Sequence, residues 1–184
     1  MPNWCENNVM IHHKKEDKIN AIAEECKKDN PRLFNFIKPE PSWIDIPNDD
    51  GDYPTQRDIE DDNGEVIIRK REFPDGTVDE RWYDWRINTW GTKWEVAEYL
   101  DHEFIVNKQG SRYCLELSFW TAWSPPIGIY ETLVEKGFGV SADYIEGGMG
   151  YVGTWIDGVD SEYGFDDQDM PKKLKRLVKF YRGD

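Results

Sequence analysis

The run Val9-Met-Ile-His-His13, continued by Lys14-Lys-Glu-Asp-Lys-Ile19-Asn-Ala-Ile22-Ala23-Glu-Glu-Cys26-Lys-Lys28, decides how this chain is read. Val9 to His13 predicts a short strand. After it, Ile19, Ile22, Ala23 and Cys26 recur at i, i+3, i+4 and i+7, the period of a helix with one apolar stripe, so an amphipathic helix is expected over Lys15 to Lys28. Asp29-Asn30-Pro31 ends it, since proline cannot continue the helical hydrogen bonding. Leu33, Phe34, Phe36 and Ile37 form a further apolar segment, closed by Pro39 and Pro41.

The same alternation of strand and helix signals recurs downstream. Glu103 to Lys108 and Arg112 to Trp120 flank Gln109-Gly110-Ser111 and predict a hairpin. Ser124-Pro125 marks a helix start, with Ser as N-cap and Pro at the first helical position, and Gly137 closes that helix. Val140 to Glu146 and Tyr151 to Asp157 make another hairpin around Gly147, Gly148 and Gly150. Pro171 to Tyr181 places Leu174, Leu177, Val178 and Tyr181 on one face, with Lys172, Lys173, Lys175, Arg176, Lys179 and Arg182 around the rest. It reads as a terminal helix packed on a sheet, with its basic face in solvent; a basic helix for a partner or a membrane surface is the sharper alternative. The order predicts an α+β fold: a βαββαβ core of ferredoxin-like type, an antiparallel sheet with helices on one face, and an extra C-terminal strand and helix.

A chain of 184 residues fits one domain, expected here with its core in 1–38 and 103–157 and an insert at about 39–88. Between Asp45 and Asp84, fourteen acidic residues stand against five basic ones. The first part of that stretch, with Pro47, Gly51 and Pro54 among many Asp, predicts an exposed loop. Val66 to Phe73, Pro74-Asp75-Gly76 and Thr77 to Ile87 predict a β-hairpin within the acidic insert.

Composition restricts the function classes. The net charge is −14, which disfavours unaided binding to duplex nucleic acid or to acidic membranes, both of which reward Lys and Arg. A basic protein surface would be attracted. Nine Trp, nine Tyr and eight Phe supply large rings for a core in place of aliphatics. Cys5, Cys26 and Cys114 are odd in number and widely spaced, no secretion signal or apolar membrane span is visible, and a reducing cytoplasmic setting is expected.

Chemistry-bearing patterns are few. Trp82, Trp85, Trp90 and Trp94 fall within thirteen residues, and Thr92 and Glu95 have capping-box spacing that allows a short helix from Lys93, although an irregular turn fits equally. The rings suit a recognition surface, and they equally suit the closing of a core under a long insert. Phe119-Trp-Thr-Ala-Trp-Ser-Pro-Pro126 joins a strand end to a helix start, where N–H groups with Thr121 and Ser124 could hold an anion, or where the rings simply pack inward. Ser111, Ser118, Ser124 and His102 lack nucleophile spacing, so no catalytic residue is assigned. His12 and His13 face opposite sides of a strand and the cysteines lack a paired motif, so no metal site is assigned. No cofactor is expected, since Gly147-Gly-Met-Gly150 lacks the Lys of a phosphate loop.

Met1-Pro-Asn-Trp-Cys5 with Asn7-Asn8, Trp90-Gly-Thr-Lys-Trp94, Thr121-Ala-Trp-Ser-Pro-Pro126, and Glu146 to Gly153 leading to Trp155 occur here in order. In these motifs the chain resembles the YubB-type ferredoxin-like family encoded by plasmids and bacteriophages. The resemblance implies a ferredoxin-like fold, a bacterial cytoplasmic setting and a mobile-element origin, and it carries no established activity. It also allows the stretch after Lys93 to lead straight into a strand.

Two functions are therefore expected to compete. One is a non-enzymatic binding protein whose acidic surface, at Asp49, Asp50, Asp52, Asp61 and Asp62, engages a protein with a basic surface. The other is a small-ligand site, for a nucleotide or other anion, formed by Trp90, Lys93, Trp94, Thr121, Trp123 and Ser124, with enzymatic turnover as a subset.

Overall fold

Residues 3–60 and 66–183 are described by a computed structural model, in which the chain divides into two units, Met1–Pro39 with Asn88–Asp184, and Glu40–Ile87. In chain order the elements are β1 (Trp4–His13), α1 (Glu16–Cys26), α2 (Leu33–Ile37), β2 (Thr55–Glu60), β3 (Val66–Glu72), α3 (Arg81–Trp90), β4 (Glu98–Tyr99), β5 (Val106–Gln109), β6 (Arg112–Ala122), α4 (Ile127–Glu135), β7 (Gly139–Glu146), β8 (Tyr151–Ile156), β9 (Val159–Gly164) and α5 (Lys172–Arg182). The fold is α+β.

In the larger unit the strands form one open antiparallel sheet in the order β4-β6-β1-β7-β8-β9, with β5 also paired to β6. The register puts Asn7 opposite both Phe119 and Tyr144, and Val9 opposite both Leu117 and Ala142. Because side chains alternate along a strand, one face collects Cys5, Val9 and Ile11 with Leu115, Leu117, Phe119, Val140, Ala142, Tyr144 and Trp155. The helices α1 (Ile19, Ile22, Ala23, Cys26), α2 (Leu33, Phe34, Ile37) and α4 (Ile129, Tyr130, Leu133) bury their apolar stripes with that face. Gly128 lets α4 start hard against the chain: a Cβ there would lie 2.1 Å from the Thr89 carbonyl oxygen. On the opposite face, Leu174 and Val178 of α5 pack with Ile145, Val152 and Met170, so the helices do not all lie on one side of the sheet.

One polar group sits inside the first layer. Asn7, fully buried, donates its amide to the Cys5 carbonyl at 3.0 Å and to Thr121 Oγ1 at 2.9 Å, and its Oδ1 accepts from the Tyr130 hydroxyl at 3.0 Å. That amide ties β1 to β6 and to α4.

Several expectations need correction. The hairpin expected between Val66 to Phe73 and Thr77 to Ile87 is limited to its turn end, where the Phe73 N–H donates to the Thr77 carbonyl, Val78 bridges to Glu72 and the Asp79 N–H donates to the Arg71 carbonyl, while β3 pairs along its length with β2, inside the stretch expected as loop. Arg81–Trp90 is a helix, and the buried Asp79 carboxylate accepts the Arg81 N–H at its start. A helix from Lys93 does not form; the chain bends through 91–95 and enters β4. The helix expected from Ser124 begins at Ile127, and the Ser124 hydroxyl donates to the Gly91 carbonyl (2.6 Å) rather than capping. Val159–Gly164, for which no element is expected from the sequence, is an edge strand, on which Asp160 and Glu162 oppose edge-to-edge pairing.

Replacing Asn7 by Ala would leave the Tyr130 hydroxyl and Thr121 short of partners in a buried layer. Asn7→Ala is expected to lower unfolding free energy by about 2–4 kcal/mol and Tyr130→Phe by about 1 kcal/mol, read by urea denaturation. Equal small losses for both would contradict the linking role of Asn7.

Candidate functional site

The residues singled out from the sequence divide into buried supports and an exposed patch. Trp90 is fully buried, edge-on to Phe34 at 5.9 Å, and its Nε1 donates to the Lys38 carbonyl at 2.9 Å. Thr121 is also fully buried, accepting from Asn7 and donating to the Ser124 carbonyl at 2.7 Å. Ser124 fastens Gly91, and the buried Thr92 hydroxyl donates to the Ala122 carbonyl at 2.9 Å. Trp90, Thr121 and Ser124 thus each make a hydrogen bond to a backbone carbonyl of a neighbouring loop.

Those loops present the patch. Lys93 Nζ lies 5.1 Å from the Trp94 ring centroid and 5.2 Å from that of Trp123, and the two rings are 5.7 Å apart. Trp4, which the sequence reading did not place here, extends the cluster at 6.3 Å from Trp94. Trp4 and Trp123 keep 37% and 39% of their surface exposed, so the cluster is a surface feature in which the cation is already stacked between rings. Trp123 also has a φ of 65°, a left-handed backbone that a bulky residue adopts only under constraint. The constraint is visible: its N–H donates to the Asn3 carbonyl (2.9 Å) and its carbonyl accepts from the Tyr151 hydroxyl (2.6 Å).

In the smaller unit, Arg81 organises an acidic turn. Its guanidinium lies over Trp43 and Phe73, at 5.3 and 5.2 Å from the ring centroids. It donates to Asp79 (2.8 Å) and to the carbonyls of Trp43, Ile46 and Pro47, at 3.1, 2.9 and 2.8 Å. From Pro47 the chain enters a tight turn in which Asn48 Oδ1 accepts the N–H groups of Asp50 and Asp52, and the Asn48 N–H donates to the Asp52 carbonyl. Asp49, Asp50 and Asp52 are exposed on it. Asp61 and Asp62, grouped with them from the sequence, lie outside the described residues. Burial works against ionisation of Asp79, but the hydrogen bonds from Arg81 outweigh it and hold that carboxyl below its usual range.

All three thiols are buried; burial pushes Cys5 well above its ordinary range and Cys26, which accepts from the Tyr99 hydroxyl, up to about 11. The buried Glu146 carboxylate holds the N–H groups of Gly148 and Met149 at 2.8 and 2.6 Å, a turn-closing task. Among the described residues no group of three or more His, Cys, Asp and Glu is placed to hold a metal ion, and no helix is long and apolar enough to cross a membrane. Neither a protein-family description, nor a curated protein, nor a solved structure matches this chain.

Arg81→Lys keeps the charge but loses the planar fork that reaches three carbonyls at once. It is expected to destabilise the unit by about 1–3 kcal/mol and to speed hydrogen exchange at the Gly51 and Asp52 amides. Asp79 has a depressed folded pKa, so its contribution is full above the unfolded value of about 4 and is lost as pH falls through the folded value. Protection of these amides, taken relative to the intrinsic exchange rate at each pH, should therefore fall in acid in the wild type. In Asp79→Asn the acid dependence should be blunted; unchanged acid dependence would locate the titration elsewhere.

Proposed function

We propose that this chain is a non-enzymatic binding protein of a mobile genetic element, acting in the cytoplasm of a bacterial host, that engages a partner protein through that partner's basic surface. The observation that carries the reading is the turn at 48–52, where three carboxylates are held outward by an Asx-type turn and by the Arg81 anchor. Charge on a pre-formed turn accelerates encounter with a cationic surface without an ordering cost on binding. The strand order β5-β6-β1-β7, with α1 and α4 in the connections, supports a ferredoxin-like arrangement, in keeping with the motif resemblance to the YubB-type family. The acidic run from Asp45 to Asp84 then reads as an insert in that arrangement.

Affinity capture from bacterial lysate at low salt, with the triple variant Asp49→Asn, Asp50→Asn, Asp52→Asn alongside, tests this. Basic partners are expected on the wild type, with recovery falling as salt rises, and to be lost from the variant. Equal recovery by both proteins would defeat the reading.

A second reading is favoured by the constrained Trp123: a patch of Trp4, Trp94, Trp123 and Lys93 that stacks a nucleotide or a related anion. Because the Trp4 and Trp123 rings are exposed, binding should quench tryptophan emission, and Trp123→Ala should remove most of that change. A nucleotide panel that leaves wild-type emission unaltered would dispose of it.

A further inference from the structure

We propose that the uncovered part of the sheet beside α5 is a binding site for a linear aliphatic polyamine. Two rows of side chains cross the strands there. Ser118, Asn8, Asp143 and Thr154 are cross-strand neighbours in one row, and Glu116, Met10, Ser141 and Ile156 in the next. Together with Lys173 of α5 these residues line a cavity of about 370 Å³.

The hydrogen-bonding state of this floor selects its ligand. A hydroxyl has one proton to give, and here two of them are spent within the protein: Ser118 Oγ donates to Asn8 Oδ1 at 2.6 Å, and Thr154 Oγ1 to the Ala142 carbonyl at 3.1 Å. Asn8 directs its amide to Glu6 Oε1 at 3.1 Å. Glu116 adds an exposed carboxylate. Asp143 Oδ2 accepts from Lys173 Nζ at 2.5 Å, while Asp143 Oδ1 is, among the described residues, the one buried side-chain oxygen or nitrogen that lacks a hydrogen-bond partner. The carboxylates of Asp143 and Glu116 beside these inward-directed hydroxyls fit a donor-rich cation.

Lys173 already shows the chemistry, since it seats an alkylammonium on Asp143. Its side chain is 76% exposed against 18% for Asp143, so a solvated arm rests on a carboxylate fixed in the sheet. Ion pairs with so exposed a partner contribute little, and an incoming ammonium can displace Lys173 at Asp143 Oδ2. Glu116 lies two strands and two residues away, roughly 12 Å between Cα positions from the spacings of a sheet. That separation favours a ligand with an ammonium at each end and methylenes between them, which would run past Met10. The strong net negative charge of the chain draws a polycation towards it.

Isothermal titration of the full chain with spermidine, at low and at raised salt, tests this, with putrescine as the short comparison and Glu131→Gln, an exposed carboxylate on α4, as a charge control. Saturable binding of one spermidine per chain is expected, weaker for putrescine and unchanged in Glu131→Gln. Asp143→Asn and the surface substitution Glu116→Gln should each weaken binding about tenfold. Lys173→Met should tighten it, because a competing ammonium is removed; a merely structural ion pair would not give that gain. Far-UV circular dichroism and melting guard against misfolding of Asp143→Asn, and Glu116→Gln carries the test if that variant does not fold. Absence of saturable binding, an equal loss in Glu131→Gln, or unchanged or weaker binding in Lys173→Met would overturn the proposal. So would binding of a lysine-rich peptide at Asp143 without binding of spermidine, which would make the cavity a protein-docking surface.

Discussion

The side-chain amide of Asn7 is the constraint on which the larger unit depends. It sits on the central strand, in a layer otherwise filled by Val9, Ile11, Leu117, Phe119 and Tyr144, where an unmet donor or acceptor would be costly. Both ends of the amide are met, by Cys5, Thr121 and Tyr130. From Thr121 the same chain of bonds runs on to the Ser124 carbonyl, and Ser124 in turn holds Gly91. The placement of Lys93, Trp94 and Trp123 at the surface thus follows from a hydrogen bond made in the core. Networks of this kind specify one arrangement because a partial version is worse than none.

What could be read from the sequence was what periodicity and chain punctuation control. The strand and helix from Val9 to Cys26, the hairpins around Gly110 and around Gly147 to Gly150, and the basic C-terminal helix all form about where the pattern puts them. The smaller unit was misread because Trp82, Tyr83, Trp85 and Ile87 favour strands as isolated residues, while the start of α3 is fixed by Asp79 and by contacts of Arg81 distant in sequence. Strand β9 was missed for a related reason: Asp160 and Glu162 disfavour a strand locally, and pairing with β8 outweighs that preference.

Site residues were less legible. Proximity in sequence grouped Trp90 with Trp94, yet one ring is wholly inside and the other belongs to a surface cluster, and no period separates the two in an irregular turn. Trp4 joined that cluster from the far end of the chain through the pairing of β1 with β6, which a linear motif cannot display. Arg81 gave no signal either. Its importance lies in three backbone carbonyls and two ring faces, none of which has a sequence signature.

The acidity of the chain is not one property, because its carboxylates meet three different fates. Asp79 and Glu40 are taken up by Arg81 and Arg86 respectively. Glu146 and Glu95 hold backbone N–H groups, the former in the β7–β8 turn and the latter at Phe34 and Asn35 of α2. Asp49, Asp50 and Asp52 face solvent. Carboxylates of the first two kinds are committed to the fold, and neutralising them would disturb structure before recognition. Only the third kind can steer a partner at no structural cost, and only where the backbone beneath is already fixed does it do so without losing conformational entropy on contact. The net charge therefore describes the attraction of the chain for cations in general, whereas selectivity rests with the few carboxylates that the fold holds in place and leaves accessible.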